Sequence, residues 1–146
     1  MTRIPIAVLV AVHLAVAIWH GNAHSALVIV LPPEKNAFVL IVIVIAPILA
    51  SSLMWTRHAF LGVWLFFLSM LGALLFGAYH HFVMISPDNI GHLPHGSADA
   101  QSTFVTTAAA LALLELASAL YGAFCLGSLR RAPATLRGAG KAEGLE

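Results

Sequence analysis

Residues 4–31 read "IPIAVLVAVHLAVAIWHGNAHSALVIVL", a run without Asp, Glu, Lys or Arg that carries three histidines and stops at Pro32-Pro33. A helix that crosses a bilayer needs roughly 20 mostly apolar residues, so this stretch is long enough to cross once. Three similar stretches follow, at about 37–55, 60–85 and 103–129. The whole chain of 146 residues is 60% hydrophobic and only 9% charged, whereas an ordinary globular domain carries about 25% charged residues. Too little polar surface exists to cover a water-soluble globule. The predicted fold class is therefore all-α, an integral membrane four-helix bundle whose first partner is the lipid bilayer.

The links sharpen that picture. Short connections join the first span to the second and the second to the third, which makes those neighbours antiparallel. Pro47 falls inside the second span and predicts a kink. Ser86–Ser102 is the only long link. The remainder, 130–146, is small and polar, and reads as a flexible cytoplasmic tail rather than a domain. Lys and Arg concentrate on the cytoplasmic side of membrane proteins. Arg3, Arg57, Arg130, Arg131, Arg137 and Lys141 all fall on one side of a four-span arrangement, with Lys35 alone on the other. Both termini are thus expected inside and the 86–102 link outside, in a multi-pass protein of the cell membrane, of the bacterial inner-membrane type. Residues 1–26 also carry marks of a cleaved signal peptide, with Arg3, an apolar run and small residues at Ala23 and Ala26. The apolar run continues to Leu31, which favours a retained span.

Several functions are excluded at this stage. A net charge of +1 gives no electrostatic footprint for nucleic acid. The single cysteine, Cys125, rules out an intrachain disulfide and any Cys-x-x-Cys motif, and its apolar surroundings suit a buried, inert thiol. No phosphate loop, Gly-rich dinucleotide turn or nucleophile elbow occurs, so nothing assigns a reaction.

What remains is histidine. Ionisable residues within a span usually face the bundle interior, and each is a functional candidate. At 100° per residue His13, His20 and His24 fall on one stripe of the first span. His20 and His24 have the i, i+4 spacing that lets two imidazoles close on one metal. A rise of about 1.5 Å per residue puts His24 and His20 about 10 and 16 Å below the outer edge, His80 and His81 about 6–8 Å, and Glu115 about 18 Å. Glu115 is the only acidic residue in any span. His20, His24, His80, His81 and Glu115 thus form a predicted layer in the outer half. Since His80 and His81 diverge by about 100°, only one of them should point inward. In the outer link, "SPDNIGHLPHG" at 86–96 suggests Ser86 as the cap of a short interfacial helix with Asp88 in its first turn. Asp88, His92 and His95 would then fold over the layer, or else stand in solvent.

Imidazole and carboxylate are ligands for zinc, copper(II), iron and nickel. The expected function is accordingly a transition-metal site (Zn, Cu or Fe), drawn from His20, His24, His80, His81 and Glu115, with His13, His92, His95 and Asp88 as further candidates, serving metal handling or redox chemistry. Three other readings stand beside it. One is a b-type cytochrome subunit, with haem b held between His20 and His80. Another is a non-catalytic accessory subunit, bound to a membrane-complex partner or to a second copy of the chain, whose polar residues only pin helices. The last is a proton or solute conductor stepping through Glu115, His20 and His13.

Overall fold

In the computed structural model, which describes residues 2–131, the chain forms four long helices and, among the described residues, no strand. They are α1 (Arg3–Ala26), α2 (Pro33–Leu53), α3 (Ala59–Val83) and α4 (Ala98–Arg131). Each is long and apolar enough to cross a membrane. The cytoplasmic tail expected over 130–146 begins inside α4, whose backbone is helical through Arg131; residues 132–146 lie outside the described part. We call the end bearing residues 84–97 the loop end, and the opposite one the terminal end.

Local chemistry sets the helix ends and moves two of them from their expected places. α1 stops at Ala26 rather than running to Leu31. Val28 takes a left-handed backbone, with φ 54°. Its N–H donates to the Ser25 carbonyl (3.2 Å) and the Ile29 N–H to the His24 carbonyl (2.9 Å), the paired bonds that close a helix around a left-handed residue. Glycine is usual at that position, and a β-branched side chain there costs about 1–2 kcal/mol. α4 starts at Ala98, five positions before the apolar run at Thr103, because the Ser97 hydroxyl accepts from the Ala100 N–H (3.1 Å) and caps the helix. Instead of the expected interfacial helix, residues 86–92 make tight turns. The Ser86 carbonyl accepts from the Asn89 N–H (3.0 Å), and the Asn89 side chain bonds the Met84 carbonyl (3.0 Å) and the Gly91 N–H (2.9 Å).

Two stretches wind more widely than an α-helix. In α2 the π-helical segment Val39–Ile45 ends two residues before Pro47, and the Ala46 N–H reaches back to the Ile41 carbonyl. The wide turn absorbs the proline, whose missing N–H and bulky ring break a regular ladder. In α3 the last turn, Tyr79–Val83, is π-helical, closed by the Met84 N–H on the Tyr79 carbonyl at 2.8 Å.

α3 packs along α4 and against the Ala46–Leu53 part of α2, α4 packs along α1, and α1 meets α2 mainly through Ala46–Leu53. A Cβ on Gly62 would lie 2.9 Å from the Ala50 carbonyl oxygen, and one on Gly122 3.0 Å from the Phe67 Cβ, so glycine is what lets α3 approach both neighbours this closely. An apolar core including Ile6, Val10, Val63, Phe66, Met70 and Cys125 fills the terminal half. A smaller cluster of Ala23, Leu27 and Phe104 closes the loop end. Polar side chains are buried between them, while Ile18, Leu49, Leu68, Leu113 and Phe124 stand outward, as lipid contact requires.

Candidate metal centre

His20 and His24 project from α1 and His81 from the wide last turn of α3; one ligand nitrogen from each lies within 4.8 Å of the other two. His20 Nε2 and His24 Nε2 are 3.2 Å apart. A tetrahedral ion with metal–nitrogen bonds of about 2.0–2.1 Å holds its ligands about 3.3 Å apart, so this pair already stands at ligand spacing. The third nitrogen, within 4.8 Å of the other two, must move in by at most about 1.5 Å to reach that spacing. Phe104 lies beneath all three rings, its centroid 4.7, 5.0 and 5.4 Å from those of His20, His24 and His81.

Two outer hydrogen bonds fix which nitrogens are free. The Thr107 hydroxyl donates back to the Thr103 carbonyl at 2.6 Å, so its oxygen accepts from His20 Nδ1–H at 2.8 Å. That tautomer leaves His20 Nε2 with its lone pair. His81 Nδ1 is 2.9 Å from the Asp88 backbone carbonyl. A carbonyl only accepts, so Nδ1 carries the proton and His81 Nε2 is likewise a bare lone pair. Ligating histidines are characteristically held by such a bond from the other ring nitrogen.

Asp88 completes the group. Its carboxylate is buried, with Oδ1 3.2 Å from His24 Nε2 and 3.4 Å from His81 Nδ1. Neither approach has hydrogen-bond alignment, and Oδ1 is left without a partner. An orphaned buried carboxylate oxygen is costly, and it points to a cation or donor that belongs there. Burial raises the Asp88 pKa, but the close approach and charge of His81, with the charges of His24 and His20, outweigh it and hold the group below the usual carboxylate value. The turns over 86–92, tied to α3 by the Ile90 N–H on the His81 carbonyl at 3.0 Å, fold this residue inward.

The other predicted residues go elsewhere. His80 turns away from the cluster, with its Nδ1 3.3 Å from Lys35 Nζ and its ring against Phe76 and Tyr79. The inward member of the pair is therefore His81. A haem bridged between His20 and His80 finds no support in this arrangement, since the two rings do not face a common space. Glu115 takes His13 as its partner, Oε1 to Nε2 at 3.1 Å, deeper than the three-histidine group. Counting in from Thr103 placed it level with His20. That count started five residues late, since α4 begins at Ala98, and took no account of the rotation of α4. Glu115 still borders the same cavity as His20, His24, His81 and Asp88. His13 Nδ1 and Ser118 Oγ are buried without partners. His92 and His95 are exposed, and His92 Nδ1 contacts Asn89 Oδ1 at 3.2 Å. His58, at the terminal end, accepts from Arg57 Nε at 3.2 Å. Sequence reasoning missed Thr107 and Phe104; the one available signal was that both sit on the α4 stripe facing α1.

The cavity beside the cluster has a volume of about 510 Å³ and is walled by all four helices, with Ala17, Val39, Ile43, Phe76, Leu111 and Ala112 among its apolar lining. Compared with protein-family models, with curated proteins and with solved structures, the chain gives no match.

Proposed function

We propose that the chain is a multi-pass membrane protein that holds a resident transition-metal ion in the outer half of its bundle. His20, His24 and His81 supply nitrogen ligands, and Asp88 stands ready as a carboxylate fourth. The observation that carries this reading is the buried, partnerless Asp88 Oδ1 facing an imidazole pair already at ligand spacing. Three imidazoles and a carboxylate suit zinc, copper(II) or iron. The only cysteine, Cys125, lies in the terminal-half core, so no thiolate biases the site toward copper(I).

The placement of Lys and Arg puts the loop end outside, and with it the metal. Below the site, His13 and Glu115 are paired with each other, and beneath them the apolar core around Ile6, Phe66 and Met70 closes the terminal half. That favours a resident centre over a transport path. An ion with its fourth position held by a carboxylate or exchanged for a ligand from the cavity can act as a Lewis acid or redox group there.

The test is metal content. Protein purified in detergent and dialysed against zinc or iron should retain one equivalent per chain. His20→Ala, His24→Ala and His81→Ala should each lose most of it, while His80→Ala and His92→Ala keep it. Retention unaffected by all three core substitutions would refute the assignment.

A further inference from the structure

We propose that the 510 Å³ cavity binds a membrane-dissolved molecule with an apolar body and a single hydroxyl head, of the lipophilic alcohol and phenol class. The hydroxyl lies against Asp88 and the metal position. This deepens the metal-centre reading and rests on it for the role of the head group.

The size and lining come first. Ligand pockets span about 300–1,000 Å³ and are mostly apolar with a few convergent polar groups. Here the body of the cavity is aliphatic and aromatic, and the polar groups gather at one end, at His20, His24, His81, Asp88 and Glu115. Access follows from the packing. α1 and the outer part of α2 both line the cavity, yet the two helices meet mainly through Ala46–Leu53 near the terminal end. Their outer halves are free to admit a molecule from the lipid side. Gly21, on the α1 wall, has nothing within 4 Å of where a Cβ would stand.

The head group follows from hydrogen-bond chemistry. The polar end is rich in acceptors: the unpartnered Asp88 Oδ1, His81 Nε2 and the Glu115 carboxylate, of which Oε1 is taken by His13. The donors nearby are already used, since the Asn36 amide bonds the Leu31 carbonyl (3.1 Å) and the Ser25 hydroxyl the Gly21 carbonyl (3.1 Å). No Lys or Arg borders the cavity among the described residues, and Lys35 is engaged with His80. An anionic head would meet two carboxylates and no Lys or Arg. A ketone or ether would bring another acceptor to a wall of acceptors. A hydroxyl satisfies both requirements, because its hydrogen reaches Asp88 Oδ1 while its oxygen keeps a lone pair for an ion held by the histidines.

The experiment uses the full chain in detergent or nanodiscs with a long-chain para-alkylphenol, its methyl ether and the matched alkyl carboxylate. Retention is read by native mass spectrometry with and without added zinc. The phenol should bind saturably as a single equivalent, with the ether and carboxylate at least about tenfold weaker, the discrimination expected when a hydrogen bond to a charged group is lost. Ala112→Leu and Gly21→Phe, which fill the cavity from two helices, should each weaken the phenol by about tenfold or more and leave zinc content unchanged. Equal binding of phenol and ether, or phenol binding undiminished in both variants, would overturn the proposal. If zinc fails to load, the metal reading falls. Phenol retention by the metal-free chain still decides the cavity claim, since Asp88 Oδ1 accepts the hydroxyl in either case.

Discussion

Thr107→Val is the sharpest perturbation of the site, because valine matches threonine in size and removes only the hydroxyl. Thr107 is buried, and its oxygen is the one acceptor given to His20 Nδ1–H, at 2.8 Å. Two effects follow. Without metal, a buried N–H loses its partner, at about 1–3 kcal/mol of stability. With metal, the lock on the tautomer is gone, so the proton can sit on Nε2 and block ligation. Loss of such an outer partner typically weakens metal binding about 10–100-fold, or about 1.4–2.8 kcal/mol. Zinc affinity by competition with a chromophoric chelator measures the second effect, and thermal unfolding in chelator measures the first. Thr107→Ser keeps the oxygen and should bind within a few-fold of the parent chain. A folded Thr107→Val protein with unchanged zinc affinity would show that His20 does not ligate through Nε2, and the arrangement argued above would fail.

Other outcomes follow from the same geometry. Asp88→Asn should weaken zinc binding and also change the acid limb of stability. The folded pKa of Asp88 is lowered, so its ionised form stabilises the fold above the ordinary carboxylate value near 3.9, and that contribution is lost as the pH falls through the folded value. Thermal melts across that window should be flatter in Asp88→Asn; identical acid limbs would contradict the pairing with His81 and His24. Metal occupancy should fall as the pH is lowered, because imidazole must be neutral to ligate. Val28→Gly should stabilise the chain by about 1 kcal/mol, since glycine accepts φ 54° without strain. A lower melting temperature would mean that the Val28 side chain contributes more than its backbone costs. A cysteine in place of the exposed His95, in the Cys125→Ala background, should react with an impermeant thiol reagent from the outer face only; labelling from the cytoplasmic side would invert the assigned topology.

How much of this the sequence contained depends on the kind of signal. Hydropathy alone located four helices, because uninterrupted apolar runs such as 4–31 have few other uses. It misjudged the ends of α1 and α4, where a left-handed valine and the Ser97 cap act through backbone hydrogen bonds that hydropathy does not register. The stripe of His13, His20 and His24 was legible, since angular position along one regular helix is simple arithmetic. Position between helices was not. Rise per residue put Glu115 level with His20, yet α4 brings it to His13, deeper in the bundle. Choosing between His80 and His81 required the wide turn at Tyr79–Val83, which no residue type in "YHHFV" announces. Asp88 was visible only as one loop acid among turn residues, and its burial depends on the Asn89 and Ile90 bonds that fold 86–92 inward.

X-ray absorption at the metal edge of the zinc-loaded chain tests the central claim most directly. The expected first shell is nitrogen and oxygen only, at about 2.0–2.1 Å, with the outer-ring scattering of three imidazoles. That scattering should drop to two imidazoles in His81→Ala and remain at three in His80→Ala. Fewer than two imidazoles in the parent chain, a sulfur shell, or a His81→Ala spectrum identical to the parent would contradict it.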